Sequence, residues 1–175
     1  MSAFQAATFF GIMLLGGVVG FAIALTRPES REAMAHNALP IASTVAVGAT
    51  LGSLYFSEVA DFVPCELCWF QRIAMYPLAV LLPLATLRRD QHVLPYALAL
   101  AAVGATISAY HIQLQAFPDQ SSFCDLTNPC SGRWVEAFGF LTIPAMAALS
   151  FVLIIGATAL ALRDNPPIHS PEEIS

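Results

Sequence analysis

Residues 73–110 read IAMYPLAVLLPLATL-RRDQH-VLPYALALAAVGATISAY. Two charge-free runs, Ile73–Leu87 and Val93–Tyr110, are joined only by Arg88, Arg89, Asp90, Gln91 and His92. A hydrocarbon core about 30 Å thick takes roughly 20 apolar residues per helix, and both runs approach that length. So short a gap makes the two helices antiparallel neighbours. The pattern continues on either side: Ala3–Thr26, Ala38–Ser57 and Ala137–Leu162 are further runs. Trp69 and Phe70 extend the third run across Arg72, whose head group can snorkel towards the interface. Pro40, Pro77, Pro83, Pro95 and Pro144 do not exclude helices, because neighbouring helices can satisfy the backbone groups that prolines release.

Of the 175 residues, 57% are hydrophobic and 11% charged. A soluble domain carries about 25% charge. The chain therefore reads as an all-α integral membrane protein with five spans. No repeat, soluble domain or low-complexity tract interrupts them, and the tail after Arg163 reads as disordered. A net charge of −5 spread over several loops indicates no particular partner. No basic patch with interleaved aromatics points to nucleic acid.

All seven basic residues are arginines. With five spans, Arg27, Arg31, Arg88, Arg89 and Arg163 share one side, and Arg72 and Arg133 fall on the other. The excess marks the cytoplasmic side. All four cysteines lie in the opposite gaps, on the oxidising side where a disulfide persists. The first run has an Ala22-Ile23-Ala24 that resembles a cleavage site, but it lacks a basic n-region and is long for a signal. It is expected to remain as a helix with its N-terminus outside.

Pro64-Cys65-Glu66-Leu67-Cys68-Trp69-Phe70-Gln71-Arg72 places a C-x-x-C just before the third run. This spacing closes a small ring and typically lowers one thiol's pKa. Cys68 is expected to begin the spanning helix, where free N–H groups and the helix dipole stabilise a thiolate. Arg72 follows four residues later on the same face. A structural disulfide and half of a zinc site are the alternatives, although zinc usually takes a second close pair or further histidines. In the fourth gap, Asn128-Pro129 favours a turn that brings Cys124 and Cys130 together. That pair reads equally as a loop brace or as a mobile exchange site. His111 is expected where the fourth span meets water, either with its polar edge wet or as a proton relay near Cys68, since imidazole titrates near ambient pH.

These residues resemble the DsbB family of membrane disulfide-bond formation proteins, including its shorter BdbC-like members. The resemblance covers roughly Ala38 to Leu162. It is carried by Pro64-Cys65-Glu66-Leu67-Cys68 with Gln71-Arg72, by His111-Ile112-Gln113-Leu114-Gln115 leading to Pro118, and by Cys124…Pro129-Cys130 followed by Gly139-Phe140-Leu141-Thr142-Ile143-Pro144. It implies a four-helix transmembrane bundle in a bacterial cytoplasmic (inner) membrane, surrounded by lipid, with its redox loops on the extracytoplasmic side. It also implies an oxidoreductase that reoxidises a DsbA-like thioredoxin-fold donor and passes electrons to a quinone, ubiquinone or menaquinone.

Carried over by position, Cys124–Cys130 is the pair attacked by the donor, with Cys124 forming the mixed disulfide. Cys130 then exchanges with Cys65, Cys68 faces the quinone, and Arg72 and His111 line its site. The chain divides into 1–37 (an extra helix and cytoplasmic loop), 38–162 (the redox domain) and 163–175 (the tail). It departs from the family pattern in its first run, which has no counterpart, and in the close spacing of its second pair. Vitamin K epoxide reductase-like enzymes also couple thiols to quinone, but usually place the loop cysteines first. A membrane protein that handles metals is the non-enzymatic alternative.

Overall fold

The computed structural model describes residues 2–118, 124 and 128–164. Most of the loop around Cys124 and the tail read as disordered therefore lie outside the described residues. Among the described residues, five helices are long and apolar enough to cross a membrane, as the runs predict.

Helix α1 spans Ala3–Leu25 and starts in a capping box, with Gln5 N donating to Ser2 Oγ at 3.3 Å and Ser2 N to Gln5 Oε1 at 3.0 Å. The next gap, expected to be a loop, is instead the short helix α2 (Pro28–His36). Pro28 at its start is preset for helical φ, and Glu29 and His36 complement the dipole at either end. Helix α3 (Ala38–Leu54) runs into a π-helical turn, Tyr55–Val59. The chain then leaves the membrane end through Asp61, which adopts a left-handed φ of 53°.

Helix α4 spans Glu66–Arg88 and so begins seven residues before the apolar run of Ile73. Arg89, left-handed at φ 55°, ends it, and a 3₁₀ turn (Gln91–Val93) reverses the chain into α5 (Leu94–Ala116). The sharp antiparallel turn is as the five polar residues require. The final run departs from expectation at its start. Residues 136–142 form a hairpin of β1 (Glu136–Ala137) and β2 (Leu141–Thr142), and helix α6 begins only at Ile143 and ends at Asp164. Phe138 and Gly139 both have positive φ, 56° and 78°, which suits a tight hairpin turn and stops a helix.

The helices meet along small residues and buried aliphatics. Ala42 and Ala46 of α3, Leu78 and Leu82 of α4, Ala101 of α5 and Phe151 of α6 share one core. A Cβ at Gly104 would collide with the Phe151 ring, so the absence of a side chain there sets the approach of α5 and α6. Two buried hydroxyls are satisfied within their own helices: Ser108 donates to Gly104 O at 2.8 Å and Thr158 to Ile154 O at 2.7 Å.

Spans of alternating direction leave Arg27, Arg31, Arg88, Arg89 and Arg163 at one end of the bundle and the cysteines at the other. An ion pair between Arg31 of α2 and Asp164 of α6, at 3.5 Å, ties two parts of the arginine end together.

Candidate functional site

The C-x-x-C does not precede its helix but forms the first turn. Cys65 is the N-cap of α4, and Trp69 N donates to its carbonyl at 3.1 Å. The helix thus begins at Glu66, two residues before Cys68, where the sequence places its start, because Glu66 and Leu67 already form part of the first turn. Cys65 is buried and Cys68 half-buried, and their sulfurs lie 2.9 Å apart as free thiols. A hydrogen bond from Cys68 holds Cys65 far below the ordinary thiol value of 9.0, down to about 4; burial pushes the other way, and His111 adds to the lowering. Cys65 is therefore the sulfur poised as thiolate, and a good leaving group.

Cys124 and Cys130 are joined by a disulfide, with Cα atoms 5.9 Å apart. Gly132 N donates to Pro129 O at 3.0 Å, closing a turn around Cys130, while residues 125–127 of the segment between the two cysteines lie outside the described residues. Cys130 is fully buried and packs into one cluster with Cys65 and Leu114, which Cys68 and Cys124 border. The two pairs, 56 positions apart between Cys68 and Cys124 in the chain, thus meet at one end of the bundle. Cys124 keeps part of its surface exposed.

His111 is not an interfacial residue with a wet edge. Helix α5 continues past it to Ala116, and it is 2% exposed. Its Nε2 lies 3.0 Å from the Cys130 carbonyl oxygen and 3.7 Å from Cys65 Sγ, and its Nδ1 lies 3.1 Å from Gln71 Nε2. A carbonyl only accepts, so Nε2 carries the hydrogen and Nδ1 accepts from the Gln71 amide; the tautomer follows from this network. His111 touches both pairs at once. It lines a narrow cleft of about 20 Å³ with Cys65, Cys68 and Gln115.

On the other side of Cys68 opens a cavity of about 330 Å³, lined largely by apolar side chains. Cys68, Gln71, Arg72 and Tyr76 of α4 and Ser53 of α3 supply part of its polar lining. Arg72 donates from Nε to Ser53 Oγ at 3.0 Å and from a terminal nitrogen to Ser53 O at 3.2 Å, and its guanidinium lies 5.1 Å from the centre of the Trp69 ring. Ser53 Oγ also lies 3.4 Å from Tyr76 Oη. Arg72 is therefore in phase with Cys68 as the sequence predicts, and it faces the cavity, whereas His111 faces the cleft.

Gln71 and Gln115 are buried polar residues of the site that no sequence motif singles out by role. Gln115 accepts from Thr142 Oγ1 at 2.8 Å and donates to Gly132 O at 3.2 Å, and Arg133 donates to its carbonyl at 3.2 Å. It thereby fastens both the cysteine loop and the hairpin to α5. The available signal was an uncharged amide buried in a membrane helix, which is costly unless used. Cys65 Sγ, Cys68 Sγ and a His111 ring nitrogen lie within 4.8 Å of one another, one donor short of a closed zinc tetrahedron.

A model of the family described as disulfide bond formation protein DsbB matches residues 35–162. The chain is 50% identical over 113 residues to disulfide bond formation protein C of Bacillus subtilis, an alignment covering 63% of this chain and 82% of that protein. It is 40% identical over 138 residues to the probable disulfide formation protein C of Bacillus cereus, covering 77% and 99% respectively. With that of Halalkalibacterium halodurans it shares 43% over 123 residues, covering 69% and 89%. No solved structure matches. The chain belongs to the DsbB family, as its motifs indicate, and is a membrane protein of disulfide-bond formation.

Proposed function

We propose that the protein reoxidises a reduced DsbA-like, thioredoxin-fold donor and passes the electrons to a membrane quinone, ubiquinone or menaquinone. The observation that carries this reading is Arg72. Among the described residues no carboxylate lies within ion-pair distance of it, yet it borders an apolar cavity beside Cys68. A cation within a membrane span is costly and marks a functional site. An oxygen that gains negative charge as it is reduced is a fitting partner.

The cavity fits such a ring. Its volume of about 330 Å³ falls within the range of small-molecule sites, roughly 300–1,000 Å³. Arg72, Gln71 and Tyr76 can orient ring oxygens, and the apolar walls exclude water. A bound quinone supplies a sink for two electrons and two protons.

The sulfur chemistry proceeds by thiolate exchange. A donor thiolate attacks Cys124, the less buried member of its pair, forming a mixed disulfide and releasing Cys130 as thiolate. Cys130 attacks Cys65 of an oxidised inner pair and releases Cys68 beside the cavity. The donor's second thiol then attacks the mixed disulfide, leaving as the oxidised donor and freeing Cys124. Cys124 attacks Cys130, restoring the outer disulfide and expelling Cys65 as thiolate. The low pKa of Cys65 favours that expulsion. The resulting state, with the outer pair joined and the inner pair free, matches the arrangement of the four sulfurs. Re-forming Cys65–Cys68 releases two electrons and two protons at the sulfur that faces the cavity.

Residues 38–162 act as the redox domain, in a bacterial cytoplasmic membrane with the cysteine end outside. The arginine asymmetry and the need for an oxidising side both support this orientation. Absorbance of the purified protein tests the function: a bound quinone should bleach when reduced donor is added. A quinone-loaded sample that kept its spectrum while the donor became oxidised would refute the electron route.

A further inference from the structure

Helix α1 lies outside the matched residues 35–162, yet it walls the cavity. Phe10, Met13, Leu14 and Gly17, spaced along one face of α1, line it opposite Cys68 and Arg72 of α4. Three close contacts seat α1 over α3, α6 and the hairpin. A Cβ on Gly11 would collide with the Leu141 side chain, and one on Gly156 of α6 would lie 2.8 Å from the Phe21 ring. Phe10 lies over Gly52 of α3, 3.6 Å from where a Cβ would stand. Glycine in a helix interior is destabilising relative to alanine, and close approach is a reason to keep it.

An aromatic arc continues this wall towards the cysteine loop. Phe10 meets Phe56 edge-on at 6.4 Å, Phe56 stacks on Phe62 at 6.1 Å, and Phe62 stacks on Trp134 at 5.4 Å. All four rings line the cavity, and Trp134 also lines the cleft that holds Cys65 and His111. The first helix is thus part of the acceptor site and not a bystander in lipid. Without it, the cavity would lose the wall facing Cys68 and the first ring of the arc.

Resting on the proposed quinone reading, we infer that α1 is a specificity-determining wall of the acceptor site. Leu14 and Phe10 set the shape of the apolar ring and tail that can reach Cys68. Leu14→Trp fills the cavity. It should raise the KM for a short-tailed quinone about tenfold, with a smaller effect on kcat, comparable to misfitting one methylene or more in an apolar pocket. Leu14→Ala removes bulk without obstructing and should raise the same KM about threefold. Ile12→Trp, on an exposed face of α1 away from the cavity, should leave it at the wild-type value.

The assay is steady-state quinone reduction by purified full-length protein and reduced donor. KM within twofold of wild type for both Leu14 variants overturns the inference, as does an equal rise in the Ile12 variant. If Leu14→Trp does not fold, Leu14→Ala decides alone. A wild-type protein that reduces no quinone would instead sink the reading of the cavity itself, so the two failures are distinguishable.

Discussion

The first turn of α4 separates two spaces that differ in almost every respect. The cleft on one side, about 20 Å³, has room for little more than one water. It is closed by polar partners in fixed geometry: Gln71, His111 and the Cys130 carbonyl in one chain, and Gln115, Gly132 and Thr142 in another. The cavity on the other side is more than ten times larger, mostly apolar, and carries one cation. Sulfur exchange needs contact and orientation but no space, since each sulfur replaces another. A ring that arrives from lipid needs space and an electrostatic anchor. Cys68 borders both, and Gln71 lines the cavity while reaching His111. On the proposed reading, Cys68 and Gln71, three positions apart on one helix, link the two spaces.

The most severe way to break the comparison is at Cys68. Cys68→Ser should reduce quinone reduction to background while reduced donor still opens Cys124–Cys130, trapped as a mixed disulfide on a non-reducing gel. Loss of both activities would mean the two spaces are not separable. The same position also controls the thiolate. In the wild type, Cys65 protonates only as pH falls towards about 4, so its alkylation rate should be flat through neutral pH. Cys68→Ala removes the donating thiol, and the Cys65 titration should move up towards 9.0, giving a rate that climbs with pH across the neutral range. A flat profile in that variant would assign the lowering to another group.

Arg72→Leu addresses the cavity alone. A hydrogen bond to a charged group contributes about 1.5–3 kcal/mol, so kcat/KM for quinone should fall about 10- to 100-fold. Formation of the donor mixed disulfide should change less than twofold. Equal losses in both measurements would remove Arg72 from the acceptor side.

The spans were legible because a membrane helix must be long and apolar, and hydropathy detects that directly. What hydropathy cannot see is a change of backbone within an apolar stretch. Ala137–Leu141 carry no charge and read on without a break into the helix that follows, and the left-handed Phe138 and Gly139 divide them. The opposite failure hid α2, whose nine residues carry charge yet start from Pro28, preset for helical φ. At the site, the four-residue spacing of Cys68 and Arg72 was enough to place them on one face. The contact of His111 with Cys65 spans 46 positions and depends on how α4 and α5 pack, which no local pattern encodes. Serine 53, the partner of Arg72, was hidden for the same reason.

Gln71 offers the smallest and sharpest test, because it belongs to both spaces. Its amide donates to His111 Nδ1 and so keeps the hydrogen on Nε2, aimed at the Cys130 carbonyl beside Cys65. Gln71→Leu retains bulk but leaves Nδ1 without this donor, freeing the ring to rotate or change tautomer. A neutral hydrogen bond contributes about 0.5–1.5 kcal/mol, which predicts a threefold to tenfold slowing, roughly, of electron transfer from the outer pair to the inner pair. Rapid-quench alkylation would follow that step directly, by scoring which pair holds free thiols after one turnover with donor. If Gln71 instead acts only on the cavity side, the thiols should redistribute at the wild-type rate and only the quinone KM should rise. That result would move the boundary between the two spaces from Gln71 to Cys68 alone.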